Sequence, residues 1–229
     1  MYELYIANKN YSSWSLRPWI LMKMLAIPFV EKLTPFGDSL SALSDLSPTG
    51  KIPCLVSGNT VVWDSFSIVE FLAERHEGVW AADPELRAWS RSVSAEMHSG
   101  FMALRDLFTM NLGLRIRPNP YSAALKRDID RIESIWTQGM ARSGGPFLAG
   151  SRFTAVDAFF CPVAFRFMTY SPTVGPEARS YAERLRSLDC MEEWYQAALQ
   201  ETWRDEEHEA EARAAGKWLE DLRAEEVAL

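Results

Sequence analysis

The fold is decided at a turn that reads Tyr11-Ser12-Ser13-Trp14-Ser15-Leu16-Arg17-Pro18. On its N-terminal side, the short apolar run Tyr2–Ala7 predicts a strand. On its C-terminal side, apolar residues recur at Leu16, Ile20 and Met24, which is the spacing of one face of a helix. The stretch is therefore a strand-to-helix turn that carries three serines in four residues.

These serines have two interpretations. Pro18 fits only the first turn of a helix, so the helix should begin near Ser13 to Ser15, where serine is a preferred capping residue. Ser15 directly precedes the apolar run and is therefore the expected cap. Hydroxyls and free backbone N–H groups at a helix start also make an anion site. Capping is the commoner cause of such spacing, but three hydroxyls are more than one cap needs.

Short strands and helices alternate through the first 78 residues. Besides the elements around the serine turn, the pattern predicts strands at Phe29–Leu33, Pro53–Val56 and Thr60–Trp63, a short helix at Ser39–Leu46 and a longer one at Ser65–Glu74. The order β-α-β-(α)-β-β-α predicts an α/β domain over residues 1–78.

Two more motifs in this domain have both a structural and a functional interpretation. Pro53 begins a strand and cannot donate to its ladder. If the Ile52–Pro53 bond is cis, the main chain of Ile52 turns outward, where it can pair with an extended peptide-like ligand. Asp64 and Ser65 open the next helix, either as ordinary capping residues or as ligands for an ammonium and a carboxylate.

The second half of the chain follows a linker at residues 79–84 and contains no strand pattern. Between Leu86 and Phe108, apolar residues recur every three or four positions, which predicts one long amphipathic helix. Further helices are predicted at Leu125–Met140, Ala158–Met168, Glu177–Arg186 and Met191–Gln200, with a break at Arg115–Pro120. An all-helical domain is therefore expected over residues 85–229, including a helical tail from residue 201.

The helix at Ala158–Met168 is apolar almost all round, so it should be buried at the centre of the second domain. Just before it, Thr154 and Asp157 have the spacing of a capping box, and Phe153 is placed to staple the helix entry. This motif is interpreted as structural.

Composition excludes several classes of function. The chain has 229 residues, 48% of them hydrophobic, and a net charge of −7. Residues 201–229 hold ten acidic and four basic side chains, so the first 200 residues are close to neutral. A neutral body and an acidic tail argue against nucleic acid and against an anionic membrane surface.

The cysteines Cys54, Cys161 and Cys190 are too few and too far apart for a disulfide framework or a zinc site, so no metal is expected. The N-terminus has no signal-peptide pattern, and no window is apolar enough for a transmembrane helix. A reduced, cytoplasmic setting is the expectation.

Taken in order over residues 2–200, these motifs resemble the cytosolic glutathione S-transferases, in which a thioredoxin-like N-terminal domain precedes an all-helical domain. The serine turn is most similar to the theta and zeta classes. Zeta members read Ser-Ser-Cys-Ser at this turn, so Trp14 stands where they have cysteine. Thioredoxin-like redox proteins keep two cysteines where this chain has Ser12 and Ser15, and serine cannot exchange dithiols.

The resemblance implies a role for each motif, with glutathione as co-substrate. Ser12 would activate the thiol, with Ser13 as the runner-up. The glutathione-binding residues would be Trp14, Lys51, Ile52, Pro53, Asp64 and Ser65. Lys51 matches a lysine near the glycine carboxylate, and Asp64 and Ser65 match the pair that holds the γ-glutamyl end. The cis form of Pro53 is expected on the same ground.

The expected reaction is attack of the glutathione thiolate on a hydrophobic electrophile or a peroxide, a detoxification chemistry. The acceptor would lie against Tyr11 and Trp14 and, from helical phase, near Met102 and Arg105. A homodimer is expected from the resemblance and from the two-fold symmetry of most soluble oligomers. Two alternatives stay open: a zeta-type isomerase acting on maleylacetoacetate, and a non-catalytic transferase-like binding protein.

Overall fold

A four-stranded sheet organises the first half of the chain in the computed structural model, which describes residues 1–36 and 46–225. Its elements are β1 Tyr2–Ile6, α1 Ser13–Met24, β2 Phe29–Leu33, β3 Cys54–Ser57, β4 Thr60–Trp63 and α2 Ser65–Ala73. The strand order is β2-β1-β3-β4, with β1 parallel to β2 and antiparallel to β3. A parallel pair needs a crossover, and α1 supplies it. The predicted α/β domain is therefore confirmed.

Helix α1 begins where the sequence predicts, but with a different cap. Ser12 is the N-cap, and its side chain accepts the backbone N–H of Ser15. The expectation that Ser15 is the cap is wrong, because Ser15 is the third residue of the helix and its hydroxyl points back to β1. Pro18 lies in the second turn rather than the first.

The second half of the chain is mainly helical. Its helices are α3 Pro84–Ser99, α4 Met102–Leu107, α5 Ala123–Ser143, α6 Ala155–Tyr170, α7 Pro176–Arg186, α8 Asp189–Leu199 and α9 Glu206–Ala215. As predicted, α6 is the central helix, and nearly all of its residues are buried. The capping box is also confirmed, since Asp157 accepts the backbone N–H of Thr154 at 2.9 Å.

Asp157 also joins α6 to its surroundings. Its carboxylate accepts the backbone N–H of Leu148 at 2.9 Å and the hydroxyl of Tyr181 at 2.8 Å. Burial raises the pKa of Asp157 to about 6, although these hydrogen bonds favour the charged form. The motif thus ties the helix to two other segments of the domain and makes no contact with the cavity described below.

Two predictions for this half are wrong. The long helix predicted over Leu86–Phe108 is two helices, because Gly100 ends α3 and Phe101 adopts the left-handed conformation with φ of 59°. The second half also contains strands: β5 Leu114–Pro118 pairs antiparallel with β6 Gly216–Asp221. The partner strand of β5 lies about a hundred residues further on, so no local pattern revealed the pairing.

The tail predicted as helical is therefore half helix, α9, and half strand, β6. The short helix predicted at Ser39–Leu46 falls, except for its last residue, outside the described residues. Residues 74–83 connect α2 to α3, and Pro84, the last residue of the predicted linker, is the first residue of α3. Within the described part of the chain, no helix has both the length and the apolar character needed to cross a membrane.

Candidate active site

A cavity of about 340 Å³ opens where the two halves of the chain meet. The serine turn and the loop before β3 form one side of it, and residues of α4, α6 and α9 form the other. Its lining comprises Tyr11, Ser12, Ser13, Trp14, Phe36, Gly50, Lys51, Ile52, Arg105, Thr109, Met110, Arg166, His208 and Glu211. The cavity therefore joins residues that sequence motifs single out to residues that they do not.

Hydroxyl groups line the cavity at the start of α1. Ser12 Oγ donates to Ser15 Oγ at 2.7 Å, and Ser15 Oγ also accepts the backbone N–H of Ala7 at 3.2 Å. Ser13 Oγ has one distant contact, 3.5 Å from a guanidinium nitrogen of Arg166. Because free backbone N–H groups at a helix start carry partial positive charge, this turn favours an anion.

Trp14 is held between two guanidinium groups. Arg17 lies 4.2 Å from the centroid of the indole ring, and Arg105 lies 4.6 Å from it. Arg17 is itself buried and also stacks on Phe159, 4.9 Å from its ring centroid. Burial lowers the pKa of Arg17, and so do the neighbouring cations. The position at which the zeta motif has a small cysteine is thus filled by an indole clamped between cations.

A short polar chain leads from this stack to the start of α2. His98 Nδ1 is 3.4 Å from Arg17 Nη1, and His98 Nε2 is 3.5 Å from Asp64 Oδ2. Asp64 is the N-cap of α2, accepts the backbone N–H of Phe66 at 2.7 Å and has φ of 72°. This backbone conformation is rare for a residue with a side chain.

Two guanidinium groups, those of Arg105 and Arg166, line the cavity and contribute positive charge to it. Arg105 donates to the carbonyls of Gly100, at 2.9 Å, and Met97, while Arg166 donates to the carbonyl of Phe108. Among the described residues, neither arginine has a carboxylate within ion-pair distance. Burial lowers the pKa of both, that of Arg166 to about 10. Buried cations without a carboxylate favour negative charge in the cavity between them.

The ring of Tyr11 lines the cavity, whereas its hydroxyl is hydrogen-bonded to a residue outside the lining. The hydroxyl donates to Glu209 at 2.8 Å. Burial raises the pKa of Tyr11, and the Glu209 carboxylate raises it further. The phenol is therefore held neutral and committed to α9, so it is not available to ionise a thiol.

The tail after residue 200 closes over the serine turn. Glu201 accepts the backbone N–H groups of Lys9, at 2.6 Å, and Asn10, at 3.1 Å. Burial raises the pKa of Glu201 to about 7. Glu209 is buried as well, with Arg223 2.5 Å away. The role of this acidic extension was open in the sequence, and the structure makes it part of the cavity wall.

Most of the residues proposed from sequence come together here. Ser12, Ser13, Trp14, Lys51, Ile52, Tyr11 and Arg105 line the cavity. The Ile52–Pro53 bond is cis, as expected, although Pro53 itself does not line the cavity. Asp64 and Ser65 lie outside it, at the start of α2.

Met102 is a further proposed residue that does not line the cavity. Its side chain is 58% exposed and does not line the cavity. The expectation assumed that one continuous helix runs to residue 108. Because the helix breaks at Gly100 and Phe101, α4 has a different orientation about its axis from the one that a continuous helix would give. Arg105, three residues later, faces the cavity.

Seven lining residues were not proposed from sequence: Phe36, Gly50, Thr109, Met110, Arg166, His208 and Glu211. Arg166 is the one charged side chain in the apolar run Ala158–Met168, and this anomaly was a usable signal. Phe36 and His208 carried none, because they enter the site only through packing of distant segments. In the described ranges no cluster of histidine, cysteine and carboxylate side chains is suited to a metal ion.

A second, larger groove of about 1200 Å³ runs along the linker. It is lined by residues 24–26, 73–82 and 149–154 together with two arginines of α3. It contains none of the residues proposed for catalysis or binding, so the serine-lined cavity is the candidate active site.

Two family models match this chain. The one described as "Glutathione S-transferase, N-terminal domain" matches residues 11–75, and the one described as "Glutathione S-transferase, C-terminal domain" matches residues 119–205. Together they span well over half of the chain. The matched regions contain the serine turn, the loop before β3, the start of α2 and the capping box of α6.

Individual proteins are similar at low identity. A probable maleylacetoacetate isomerase of Caenorhabditis elegans is 28% identical over 111 residues, which are 48% of this chain and 52% of that protein. A glutathione transferase homologue from Burkholderia, solved with bound glutathione, is 19% identical with a TM-score of 0.65, covering 86% of this chain and 97% of that one. Human glutathione S-transferase T1-1 is 18% identical with a TM-score of 0.62, covering 93% and 90%.

Proposed function

Since the chain belongs to the glutathione S-transferase family, we propose that its cavity binds glutathione, ionises the thiol and presents the thiolate to an electrophilic small molecule or a peroxide. The observation that carries this proposal is the serine turn at a helix start, facing a cavity lined by guanidinium groups. Each of these features stabilises a negative charge, and a bound thiolate is the negative charge that the reaction needs.

The energy required is modest. A free thiol with a pKa near 8.5 is only about 3% ionised at pH 7. Lowering that pKa by about two units makes most of it thiolate and takes about 2.7 kcal/mol. One hydrogen bond to a charged group contributes about 1.5–3 kcal/mol, so a single well-placed hydroxyl supplies most of the requirement.

Ser12 is the proposed donor to the sulfur. Its hydroxyl now donates to Ser15 Oγ. A thiolate accepts hydrogen bonds and donates none, so the Ser12 proton would turn to the sulfur and the Ser15 hydroxyl would donate to Ser12 in return. Ser15 Oγ continues to accept the N–H of Ala7, so every hydroxyl keeps a partner. Ser13, beside Arg166, is the supporting hydroxyl.

The rest of glutathione would extend along the first half of the chain. Ile52 and Pro53 would present main chain to the cysteinyl part, and Lys51 would meet the glycine carboxylate. Asp64 and Ser65 would hold the γ-glutamyl end. The buried hydroxyl of Ser65 has no partner among the described residues, which supports a role for it in binding a ligand.

A zeta-type isomerase remains a second candidate because of one observation. Arg105 and Arg166 suit an acceptor that carries carboxylates, as maleylacetoacetate does. Against it, Trp14 fills the position of the zeta cysteine. The turnover of a carboxylate acceptor relative to its neutral ester separates the two candidates.

A homodimer in the cytoplasm, working in detoxification, completes the proposal. Light scattering should return about twice the chain mass of 26.0 kDa. A mass of one chain at micromolar concentration would contradict the dimer.

The deciding experiment is retention on immobilised glutathione with elution by free glutathione, followed by turnover of chlorodinitrobenzene with glutathione. Retention with turnover is the expected result. Retention without turnover of this or any other electrophile would favour the non-catalytic binding protein. Absence of retention at pH 7 would contradict the proposal.

A further inference from the structure

One wall of the cavity comes from a segment that lies outside both family matches. The C-terminal match ends at residue 205, and α9 begins at Glu206. This helix nevertheless contributes His208 and Glu211 to the lining. Its residues are therefore a property of this chain that the family comparison does not describe.

His208 is held in one orientation. Its Nδ1 lies 2.5 Å from Asp205 Oδ2, and the same carboxylate caps α9 by accepting the backbone N–H of His208 at 3.2 Å. The ring stacks on Tyr11, with 5.0 Å between ring centroids, and packs in a tilted arrangement against Phe36, with 4.9 Å between centroids. A carboxylate at Nδ1 selects the tautomer that carries a proton there, so Nε2 is the nitrogen that can exchange a proton.

The polar and charged groups near this imidazole are described next, because they determine which of them can exchange a proton with a ligand. Among the described residues, Nε2 has no hydrogen-bond partner. The Tyr11 hydroxyl, on the stacked ring, is bound to Glu209. The charged groups that share the cavity with the ring are Lys51, Arg105, Arg166 and Glu211. Among the described side chains that line the cavity, His208 is therefore the one best suited to carry a proton to and from a ligand.

We propose that His208, oriented by Asp205, is a proton-transfer residue for addition of glutathione to α,β-unsaturated carbonyl compounds. This inference rests on the proposed function and names the acceptor class for the same cavity. An imidazole proton carrier and two guanidinium groups without carboxylate partners match what such an acceptor needs: a donor for carbon and a clamp for an oxyanion.

The step balances without any further reactant. The thiolate sulfur forms a bond to the β-carbon, and the π electrons of the C=C bond move to leave an enolate whose oxygen faces Arg105 and Arg166. The Nε2 proton of the His208 imidazolium then passes to the α-carbon. Each glutathione thiol loses its proton to solvent and the neutral imidazole takes one back from solvent, so the net reaction is addition of one thiol across one double bond.

The test compares two acceptors on the same enzyme. Methyl vinyl ketone needs a proton on carbon, whereas displacement of chloride from chlorodinitrobenzene does not. In His208→Gln, kcat for the ketone should fall about tenfold or more, while kcat for chlorodinitrobenzene and KM for glutathione change less than about twofold.

Two further variants make the test specific. His76→Gln is the matched control, since His76 bonds Tyr2 at 3.0 Å and does not line the cavity, and it should leave both reactions unchanged. Asp205→Asn keeps a capping side chain but removes the carboxylate, so it should lower ketone turnover alone. Equal loss of both reactions in His208→Gln, or loss of neither, would overturn the proposal. A wild-type protein that is not retained on glutathione and turns over neither acceptor would instead overturn the proposed function.

Discussion

The two sides of the cavity are built in different ways. The side proposed to bind glutathione, called the glutathione side, comes from two short stretches of the first 78 residues, the serine turn and the loop at Gly50–Ile52, with the start of α2 at Asp64 beyond the lining. The side proposed to hold the acceptor, called the acceptor side, is assembled from Arg105, Arg166 and His208, which lie on three different helices. The first side works through helix starts and main chain, and the second works through long side chains brought together by packing.

This difference separates the residues proposed to bind glutathione from the residues proposed to select the acceptor. A helix start, a strand edge and a capping carboxylate can hold the same peptide-like molecule on any chain that keeps these local shapes. The charge and the proton chemistry of the acceptor side depend on single residues whose neighbours are distant in sequence. Changes on the acceptor side should therefore alter the choice of acceptor, and changes on the glutathione side should alter affinity or ionisation of the thiol.

The largest effect on selection is expected at Arg166. Arg166→Met removes a buried cation from the acceptor side, so kcat/KM for an acceptor with a carboxylate should fall about tenfold or more relative to its methyl ester. Arg166→Lys keeps the charge and should retain part of the preference. Both acceptors are measured on the same folded protein, so a loss of stability cancels in the ratio. An unchanged ratio would mean that Arg166 is structural.

A smaller and different effect is expected at Asp64. Its carboxylate is at the α2 end of the cleft and lies outside the cavity lining. Asp64→Ala should raise KM for glutathione several-fold with a smaller change in kcat, because a binding interaction kept through the reaction affects KM. Asp64→Asn, which keeps the cap, separates binding from helix capping. Equal losses of kcat and kcat/KM would place Asp64 in the chemical step and contradict its assignment to glutathione binding.

An effect on stability rather than on catalysis is expected at Glu201, which joins the tail to the first half. Burial raises its pKa from 4.5 to about 7, so between these values the folded protein holds a proton that the unfolded chain has released. The free energy of unfolding should therefore fall as pH rises from about 4.5 to about 7, by on the order of 1 kcal/mol per pH unit at most. In Glu201→Gln this contribution to the slope should be missing. Urea unfolding at several pH values checks it, and parallel curves for both proteins would contradict it.

The glutathione side could be predicted from the sequence more completely than the acceptor side. Local patterns determine the first, whereas packing of distant segments determines the second. The cis bond before Pro53 was expected from the family resemblance, and the structure has it. The serine turn and the capping box at Thr154 are local patterns, and the structure has both. Their neighbours within a few residues determine them, so a single chain is enough to predict them.

What sequence reasoning missed depends on distant pairing. Strand β5 forms only against β6, and His208 reaches the cavity because the tail folds back over the serine turn. The misplacement of Met102 shows the limit of periodicity: one residue in a left-handed conformation at Phe101 ends a helical phase that the apolar pattern continues. Arg166 is an intermediate case. The sequence shows it as a charged residue in an apolar helix but does not show which groups it contacts.

The central claim is that Ser12 ionises bound glutathione. The most direct measurement is a pH titration of the thiolate absorbance in the ultraviolet, on wild type, Ser12→Ala and the matched neighbour Ser13→Ala. In Ser12→Ala the pKa of the bound thiol should rise by about one to two units, at about 1.36 kcal/mol per unit, and activity at pH 7 should fall about tenfold or more with partial recovery at higher pH. Ser13→Ala should shift the titration less. An unchanged titration in Ser12→Ala beside a shifted one in Ser13→Ala would contradict the claim and move the role to Ser13.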